Sequence, residues 1–373
     1  MLYKDKTAFI NRKKEFEFLT QRMEGEPQDI LFIYGPKSSG KTTLLYNFVK
    51  QQLGSKGFDV KFFNLREILI CNYKDFIRVF FEQKEDEKTS STKQTYDLKV
   101  FKVEFETLQK IESNQIDPFS IMKKELEKKL SQGIKPLIII DELQALSDIY
   151  MNGQRELLKE LFNFFVAITK ESHLCNVIIS SSDGYFIEKL YSASRLLKTS
   201  TFLEIDYLVK NDVVYWLNNL EKESGVKDLL LTNQQIERIW HYFGGSVWEI
   251  RQFISTLNRM AENKKVKDEI IEQEAQKTVL MYKVRFEDFY ARYKREKVEL
   301  LRASNELFNR QGFLYLSELK DLTEKGLFTP DGLYEELGSL VSENYFSYNP
   351  ESGQYKAQGH SVKLGLEMFC RGL

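Results

Sequence analysis

The sequence has few of the features that mark secreted or membrane proteins. It contains three cysteines, Cys71, Cys175 and Cys370, which are far apart and have neither C-x-x-C nor metal-ligand spacing. This pattern predicts reduced thiols in a cytosolic protein. A run of about 18 apolar residues is missing, and so is an N-terminal basic segment followed by an apolar one. We therefore expect a soluble, cytoplasmic protein without a membrane partner.

The chain also lacks a large excess of one charge and several enzyme motifs. The 54 basic residues nearly balance the 55 acidic ones, so the net charge does not indicate a nucleic-acid partner. A nucleophile elbow and a dinucleotide fingerprint are both absent, which argues against the enzyme classes built on them. His173, His241 and His360 form no cluster with cysteines or acids at metal spacing. We expect these histidines to be structural or surface residues.

A phosphate-binding loop is the most informative motif that is present. The pattern G-x-x-x-x-G-K-[ST] is fitted by Gly35, Pro36, Lys37, Ser38, Ser39, Gly40, Lys41 and Thr42. An apolar segment precedes the loop and a helical segment, beginning with Thr43, follows it, which is the context that supports such a motif. We expect the loop amides and Lys41 to hold phosphates, and the Thr42 hydroxyl to bind Mg²⁺. The sequence therefore predicts a nucleoside triphosphate site.

Short apolar segments alternate with helical segments in the first half of the chain. This alternation predicts a parallel sheet flanked by helices, with a polar surface insertion at about 83–95. After about residue 208 the periodicity is helical only, and from about residue 297 helices are followed by a hairpin. The length of 373 residues suggests two or three domains. We expect a P-loop ATPase domain at 1–207, a helical lid at 208–295 and a winged-helix-like α+β domain at 296–373.

Two adjacent acids follow the apolar segment that ends at Ile140. Asp141 and Glu142 are expected at the sheet edge where open α/β folds bind ligands. There an aspartate supplies a second anchor for Mg²⁺, and the neighbouring glutamate can deprotonate an attacking water. The alternative is that both acids cap the next helix. With a phosphate loop upstream, we favour the catalytic interpretation.

Other polar residues near this edge are open to two interpretations. The hydroxyls of Ser180, Ser181 and Ser182 could sense a phosphate or hold water, but Ser-Ser-Ser-Asp-Gly is also typical of a turn. Arg195 follows a helix at a place from which an arginine finger could reach a phosphate, in its own or a neighbouring subunit. Arg251, after Gly244-Gly245, could contact the nucleotide from the lid. Surface arginines are common, so both could equally be solvated.

These motifs together resemble the archaeal ATPase family, a branch of the STAND group of AAA+-related P-loop NTPases. The segment beginning Phe9-Ile10-Asn11-Arg12 resembles a family motif that lies over the adenine. The resemblance therefore implies base-side contacts for Phe9, Ile10 and Arg12, and ATP as the nucleotide. Arg195 matches an arginine of the family. Val247 stands where members commonly have proline, and Ser181-Ser182 where they usually have Gly-Ser.

The favoured function is a Mg²⁺-dependent ATP hydrolase that acts as a regulatory or mechanical switch on a protein partner through its C-terminal domain. We expect turnover to be slow without that partner, and a nucleotide-dependent oligomer would be compatible with Arg195 acting across subunits. A nucleotide kinase is disfavoured because the sequence has no arginine-rich acceptor lid, and because Glu142 beside Asp141 favours water as the nucleophile.

The alternative function is a DNA-directed ATPase that resembles AAA+ initiators and helicase loaders, since winged helices often place one helix in a major groove. The helix in that position, at about 330–343, carries Asp331, Glu335, Glu336 and Glu343 but no lysine or arginine. Because counterion release by basic residues supplies most of the affinity for DNA, we expect a protein partner and disfavour DNA.

Overall fold

The N-terminal unit is built on a five-stranded parallel sheet. The structure, a computed structural model, describes residues 8–53, 57–83, 100–147, 149–151, 155–193, 198–291 and 295–372. The strand order is β2-β5-β8-β1-β9. The strands among the described residues of this unit are β1 (Ile30–Tyr34), β2 (Phe58–Asn64), β3 (Phe81–Gln83), β4 (Phe101–Val103), β5 (Lys135–Asp141), β6 (Tyr150–Met151), β7 (Arg155–Glu156), β8 (Asn176–Ser180) and β9 (Ser200–Glu204). The predicted parallel sheet is confirmed.

Helices cover both faces of this sheet. They are α1 (Lys13–Glu24), α2 (Lys41–Phe48), α3 (Tyr73–Phe80), α4 (Phe105–Glu112), α5 (Pro118–Ser131), α6 (Leu157–Val166) and α7 (Gly184–Ala193). Because strand side chains alternate between faces, Leu31 and Ile33 pack with Leu19 and Leu44 of α1 and α2. Phe32 and its neighbours on the other face pack against α3 to α7. Both faces are therefore apolar, as a parallel sheet requires.

A helical lid follows the last strand. It contains α8 (Lys210–Asn218), α9 (Leu220–Ser224), α10 (Asn233–Phe243), α11 (Val247–Met260) and the start of α12 (Asp268–Ala291). Apolar residues at helical spacing from Val247 to Asn263 predict a longer helix than α11, which ends at Met260. Ala261 is extended, and Glu262 forms an isolated bridge with Lys265.

A winged-helix unit forms the C-terminal part, as predicted. It comprises α13 (Arg295–Gln311), β10 (Leu314–Tyr315), α14 (Lys320–Glu324), α15 (Pro330–Ser342), β11 (Phe346–Asn349), β12 (Gln354–Ala357) and α16 (His360–Arg371). The hairpin β11–β12 is joined by β10 in a three-stranded sheet. We call residues 346–357 the wing.

The three units share core residues across their expected boundaries. Ile10, from the N-terminal segment, is buried in the lid core, and Tyr185 of α7 is buried in the winged-helix core. Helix α12 contributes Ile271 to the lid core and Phe286 to the winged-helix core. The boundaries at 207 and 295 stay predictions. In the described residues, no helix is both long and apolar enough to cross a bilayer.

Candidate nucleotide-binding site

The glycine loop lies between the carboxyl end of β1 and the start of α2, and its backbone shape requires its glycines. Gly35 and Gly40 have φ angles of +147° and +98°, which side chains with a Cβ rarely adopt. A Cβ on Gly35 would also lie 2.2 Å from the Ile205 carbonyl oxygen. The loop is thus closely packed on the segment that follows β9, and the start of α2 offers amides to an anion.

Lys41 is buried at the centre of the loop. Its Nζ donates to the carbonyls of Gly35 (3.0 Å) and Pro36 (2.8 Å), and the residue is 5% exposed. Burial lowers its pKa to about 8, although the charges of Glu142 and Asp141 oppose this shift. An ammonium in such a position would gain strongly from neighbouring phosphate oxygens, because it has lost most of its hydration.

Thr42 and Asp141 meet at the edge of the sheet. The Thr42 hydroxyl donates to Asp141 Oδ2 at 2.5 Å. Burial raises the pKa of Asp141, and the Thr42 hydrogen bond partly opposes the rise. Asp141 Oδ1 is buried without a hydrogen-bond partner among the described residues. A hydroxyl beside a carboxylate with an uncompensated oxygen fits Mg²⁺, which binds few protein oxygens and otherwise keeps water and phosphate ligands.

In the part of the chain that the structure covers, no three histidine, cysteine or acidic side chains are grouped as metal ligands.

Glu142 is held in one orientation by three side chains. Its carboxylate accepts from Arg66 and Gln144, and the Ser182 hydroxyl lies 3.3 Å from Oε2. The residue is 5% exposed and adopts the left-handed region, with φ +62°. Its side chain makes no capping hydrogen bond to the short helical turn that follows. The capping interpretation is therefore wrong for Glu142.

The serine cluster serves the turn and the acidic site together. The Ser181 hydroxyl donates to Gln144 Oε1 (2.9 Å) and accepts from the Asp183 amide (3.0 Å). Ser181 thus fixes Gln144, which in turn contacts Glu142.

A cavity of about 220 Å³ brings the loop, the acidic edge and the lid together. The lid contributes Val247, Trp248 and Arg251 from α11. The remaining lining residues are Lys37, Ser38, Gly40, Lys41, Thr42, Thr43, Arg66, Glu142 and Ser182. The predicted loop residues Gly35, Pro36 and Ser39 are not among the lining residues. Arg251 reaches the cavity although Val247 replaces the proline common in the family.

The N-terminal segment contacts the loop from another side. Arg12 donates to the carbonyls of Ser39 (2.8 Å) and Asp206 (2.9 Å). Ile10 is buried in the lid core, and Phe9 packs against Phe16 with ring centroids 5.5 Å apart. None of Phe9, Ile10 and Arg12 lines the 220 Å³ cavity. Base-side contacts for these residues stay predictions.

Arg195 lies outside the described residues. Sequence reasoning missed Arg66, Gln144 and Trp248, which all stand at the site. Arg66 follows β2 by two residues, and β2 pairs with β5. This pairing places Asn64 opposite Asp141, so the segment that carries Arg66 leaves the sheet near Glu142.

A glycine loop that joins the first strand of a parallel sheet to a helix, opposite an acidic end of a second strand, defines a P-loop NTPase. A family described as an ATPase domain predominantly from Archaea matches residues 9–253. The chain belongs to this archaeal ATPase family.

Relatives from Methanocaldococcus jannaschii support this membership. One uncharacterized ATP-binding protein is 32% identical over 365 residues, which cover 95% of this chain and 97% of that protein. A second is 41% identical over 229 residues, which cover 59% of this chain and 61% of that protein.

Solved structures resemble the whole chain. A Walker-type ATPase of Pyrococcus abyssi has a TM-score of 0.62 and 16% identity, covering 98% of this chain and 99% of the other. The ORC2 protein of Aeropyrum pernix in its ADP form has a TM-score of 0.55 and 14% identity, covering 98% and 95%. At such identities these likenesses show a shared fold only.

Proposed function

We propose that the protein binds Mg²⁺-ATP in the P-loop cavity and hydrolyses it, as a regulatory or mechanical switch on a protein partner. The observation that carries hydrolysis is the position of Glu142. A glutamate held by Gln144 and Ser182 and paired with Arg66 lines the same cavity as Lys41 and Thr42. A positioned carboxylate at this place can accept the proton of an attacking water.

The roles of the other residues follow from their contacts. The loop amides and Lys41 would bind phosphate oxygens, and Thr42 with Asp141 would hold Mg²⁺, which neutralises phosphate charge when bound. Glu142 would orient the water and take its proton. Adenine is proposed because the relatives are named ATP-binding proteins and the sequence lacks the guanine motif N-K-x-D.

A protein partner is proposed instead of DNA because of the surroundings of α15. Its exposed acids, Asp331 and Glu335, carry charge that repels phosphates. The side of α15 that carries Gly338 faces α7 of the sheet unit, since a Cβ on Gly338 would lie 2.6 Å from the Tyr185 ring. The Tyr185 hydroxyl also donates to the Tyr334 carbonyl at 2.9 Å. This helix is therefore both acidic and partly covered.

Two substitutions test the site. We expect Lys41→Ala to lose both nucleotide binding and phosphate release, because it removes the buried ammonium. Glu142→Gln should keep binding but lower phosphate release by about 10²-fold or more, as expected for loss of a general base. Isothermal titration with Mg²⁺-ATP and a phosphate-release assay provide the two measurements.

Exposed residues of α14 give matched controls, Lys320→Ala and Glu324→Gln, which should behave as the unmodified protein. Unchanged binding in Lys41→Ala would refute the site, and full turnover by Glu142→Gln would refute its role as base.

A further inference from the structure

The wing of the C-terminal unit packs against the base of the phosphate loop. Tyr34, the residue before Gly35, donates its hydroxyl to Asn349 Oδ1 (3.2 Å) and Glu351 Oε2 (2.9 Å) at the tip of the wing. Asn349 in turn donates to Glu204 at the end of β9 (3.2 Å). These contacts join residues that are more than 140 positions apart in the chain.

Lys37, inside the loop, is held through its backbone from two sides. Its amide donates to the side chain of Gln358, just after the wing, at 2.5 Å, when the Gln358 amide is oriented to donate to the Phe346 carbonyl (3.1 Å). The Lys37 carbonyl accepts from the Tyr207 hydroxyl, in the connection to the lid, at 2.9 Å. We call Tyr207 and Gln358 the Lys37 clamp.

The clamp continues into the lid through a buried polar cluster. Gly359, next to Gln358, lies beside both Tyr207 and Glu249, since a Cβ there would be in ordinary contact with them at 3.6 Å and 3.7 Å. Glu249 Oε1 accepts from the Ser361 hydroxyl of α16 at 2.5 Å. Glu249 is also the neighbour of Trp248, which lines the nucleotide cavity. The loop, the lid and the winged-helix unit therefore meet around Lys37.

We propose that Tyr207 and Gln358 are positioning residues of the phosphate loop, which link nucleotide binding to the docked position of the winged-helix unit. This inference rests on the proposed nucleotide site. The clamp fixes the peptide groups on both sides of Lys37 and so pre-shapes the loop for phosphates. A nucleotide that binds this shape better must stabilise the docked wing to the same extent, because such coupling is reciprocal.

Hydrogen exchange tests the linkage directly. In the full-length protein, saturating Mg²⁺-ATP should slow amide exchange in peptides that cover residues 346–358. In Gln358→Ala, ATP at saturating concentration should no longer slow exchange in the wing. Titration calorimetry should show about three- to tenfold weaker ATP binding for Gln358→Ala and Tyr207→Phe, as expected for loss of one hydrogen bond.

Matched controls remove the same groups elsewhere. Gln311→Ala changes a winged-helix glutamine that binds Glu318, and Tyr242→Phe changes a lid tyrosine that binds Glu272. Both should keep the affinity and the exchange response of the unmodified protein, and thermal unfolding checks that all variants are folded. If the unmodified protein binds ATP tightly but amide exchange in the wing does not change, this inference is overturned and the nucleotide site stands. Failure of the unmodified protein to bind nucleotide would overturn both.

Discussion

At the scale of single residues, Arg66 and the catalytic water would compete for the Glu142 carboxylate. Arg66 is 58% exposed at its side chain, and its partner is nearly buried, so the pair opens toward solvent and can separate. We expect Arg66→Ala to raise basal ATP hydrolysis several-fold, because it frees a lone pair of the Glu142 carboxylate. This gain is smaller than the whole contribution of a general base, which is roughly 10²–10⁴-fold. Steady-state phosphate release at saturating Mg²⁺-ATP measures this.

The control is Arg78→Ala, which removes an exposed arginine that pairs with Glu112 and should leave the rate unchanged. A lower rate in Arg66→Ala would show that the guanidinium assists the reaction and does not restrain the base.

The low pKa of Lys41 gives a prediction about pH. Since burial lowers this pKa to about 8, and nucleotide phosphates are already fully ionised there, ATP affinity should fall as pH rises above 8. The loss should approach about tenfold per pH unit, because each binding event must then take up a proton. Calorimetric titration between pH 7 and 9.5 measures it, and a constant affinity over this range would contradict the prediction.

Folding stability should respond in the opposite direction. Between the folded pKa of about 8 and the ordinary value of 10.5, the unfolded chain holds the Lys41 proton and the folded chain does not. The contribution of Lys41 to the free energy of unfolding therefore rises with pH over this window. Denaturant unfolding measures this for the unmodified protein and for Lys41→Met at pH 7.5 and 9.5. Relative to Lys41→Met, the free energy of unfolding of the unmodified protein should be higher at pH 9.5 than at pH 7.5.

How far the site could be predicted depends on whether it is local in sequence. Lys41 and Thr42 follow from one motif, and Asp141 from an apolar strand that ends in acid. Arg66 and Gln358 did not follow, because their roles depend on the pairing of β2 with β5 and on a contact across 321 positions, from Lys37 to Gln358. Side chains that act through long-range packing leave no pattern in the chain itself.

At the scale of elements, helix α11 connects the lid to the nucleotide cavity. Trp248 is 56% exposed there, and Trp216 in the lid core is 1% exposed. We expect Mg²⁺-ATP to change the intrinsic tryptophan emission, because a ligand in the cavity alters the solvent around Trp248. Trp248→Phe should abolish the change, and Trp240→Phe, which removes a ring that contacts His360, should keep it. A full response in Trp248→Phe would show that α11 does not contact the nucleotide.

Most elements were predictable because their patterns are short-range. The wing was expected from its alternating residues and its turn, and it forms β11 and β12. The end of α11 was missed because Ala261 and Asn263 have no strong stop signal, and the helix ends where the Glu262–Lys265 bridge begins. The paired glycines have a packing role: a Cβ on Gly245 would lie 1.9 Å from the Leu208 carbonyl oxygen. A motif shows that glycine is present but not which segment it must approach.

At the scale of the whole molecule, the sequence did not predict how the units contact each other. The winged-helix unit lies against the sheet unit so closely that a Cβ on Gly184 would be 2.1 Å from the Tyr348 carbonyl oxygen. Such contacts depend on shape at surfaces with weak periodicity. The architecture of a winged-helix unit alone would suggest that α15 enters a DNA groove. The contacts between the units decide whether α15 is accessible for this.

Charge and packing together predict that the protein does not bind duplex DNA tightly. With Asp331 and Glu335 exposed on α15 and Tyr185 packed against Gly338 of the same helix, the helix offers repulsion where a DNA-reading helix needs basic residues. Fluorescence anisotropy with mixed-sequence duplexes should show weak binding at 50 and at 200 mM salt, with and without Mg²⁺-ATP.

The double variant Asp331→Lys and Glu335→Lys tests whether α15 is accessible to DNA. If only its charge excludes DNA, this variant gains salt-sensitive binding, and if packing also covers α15, it does not. Tight binding by the unmodified protein that falls steeply with salt would instead establish the DNA-directed alternative.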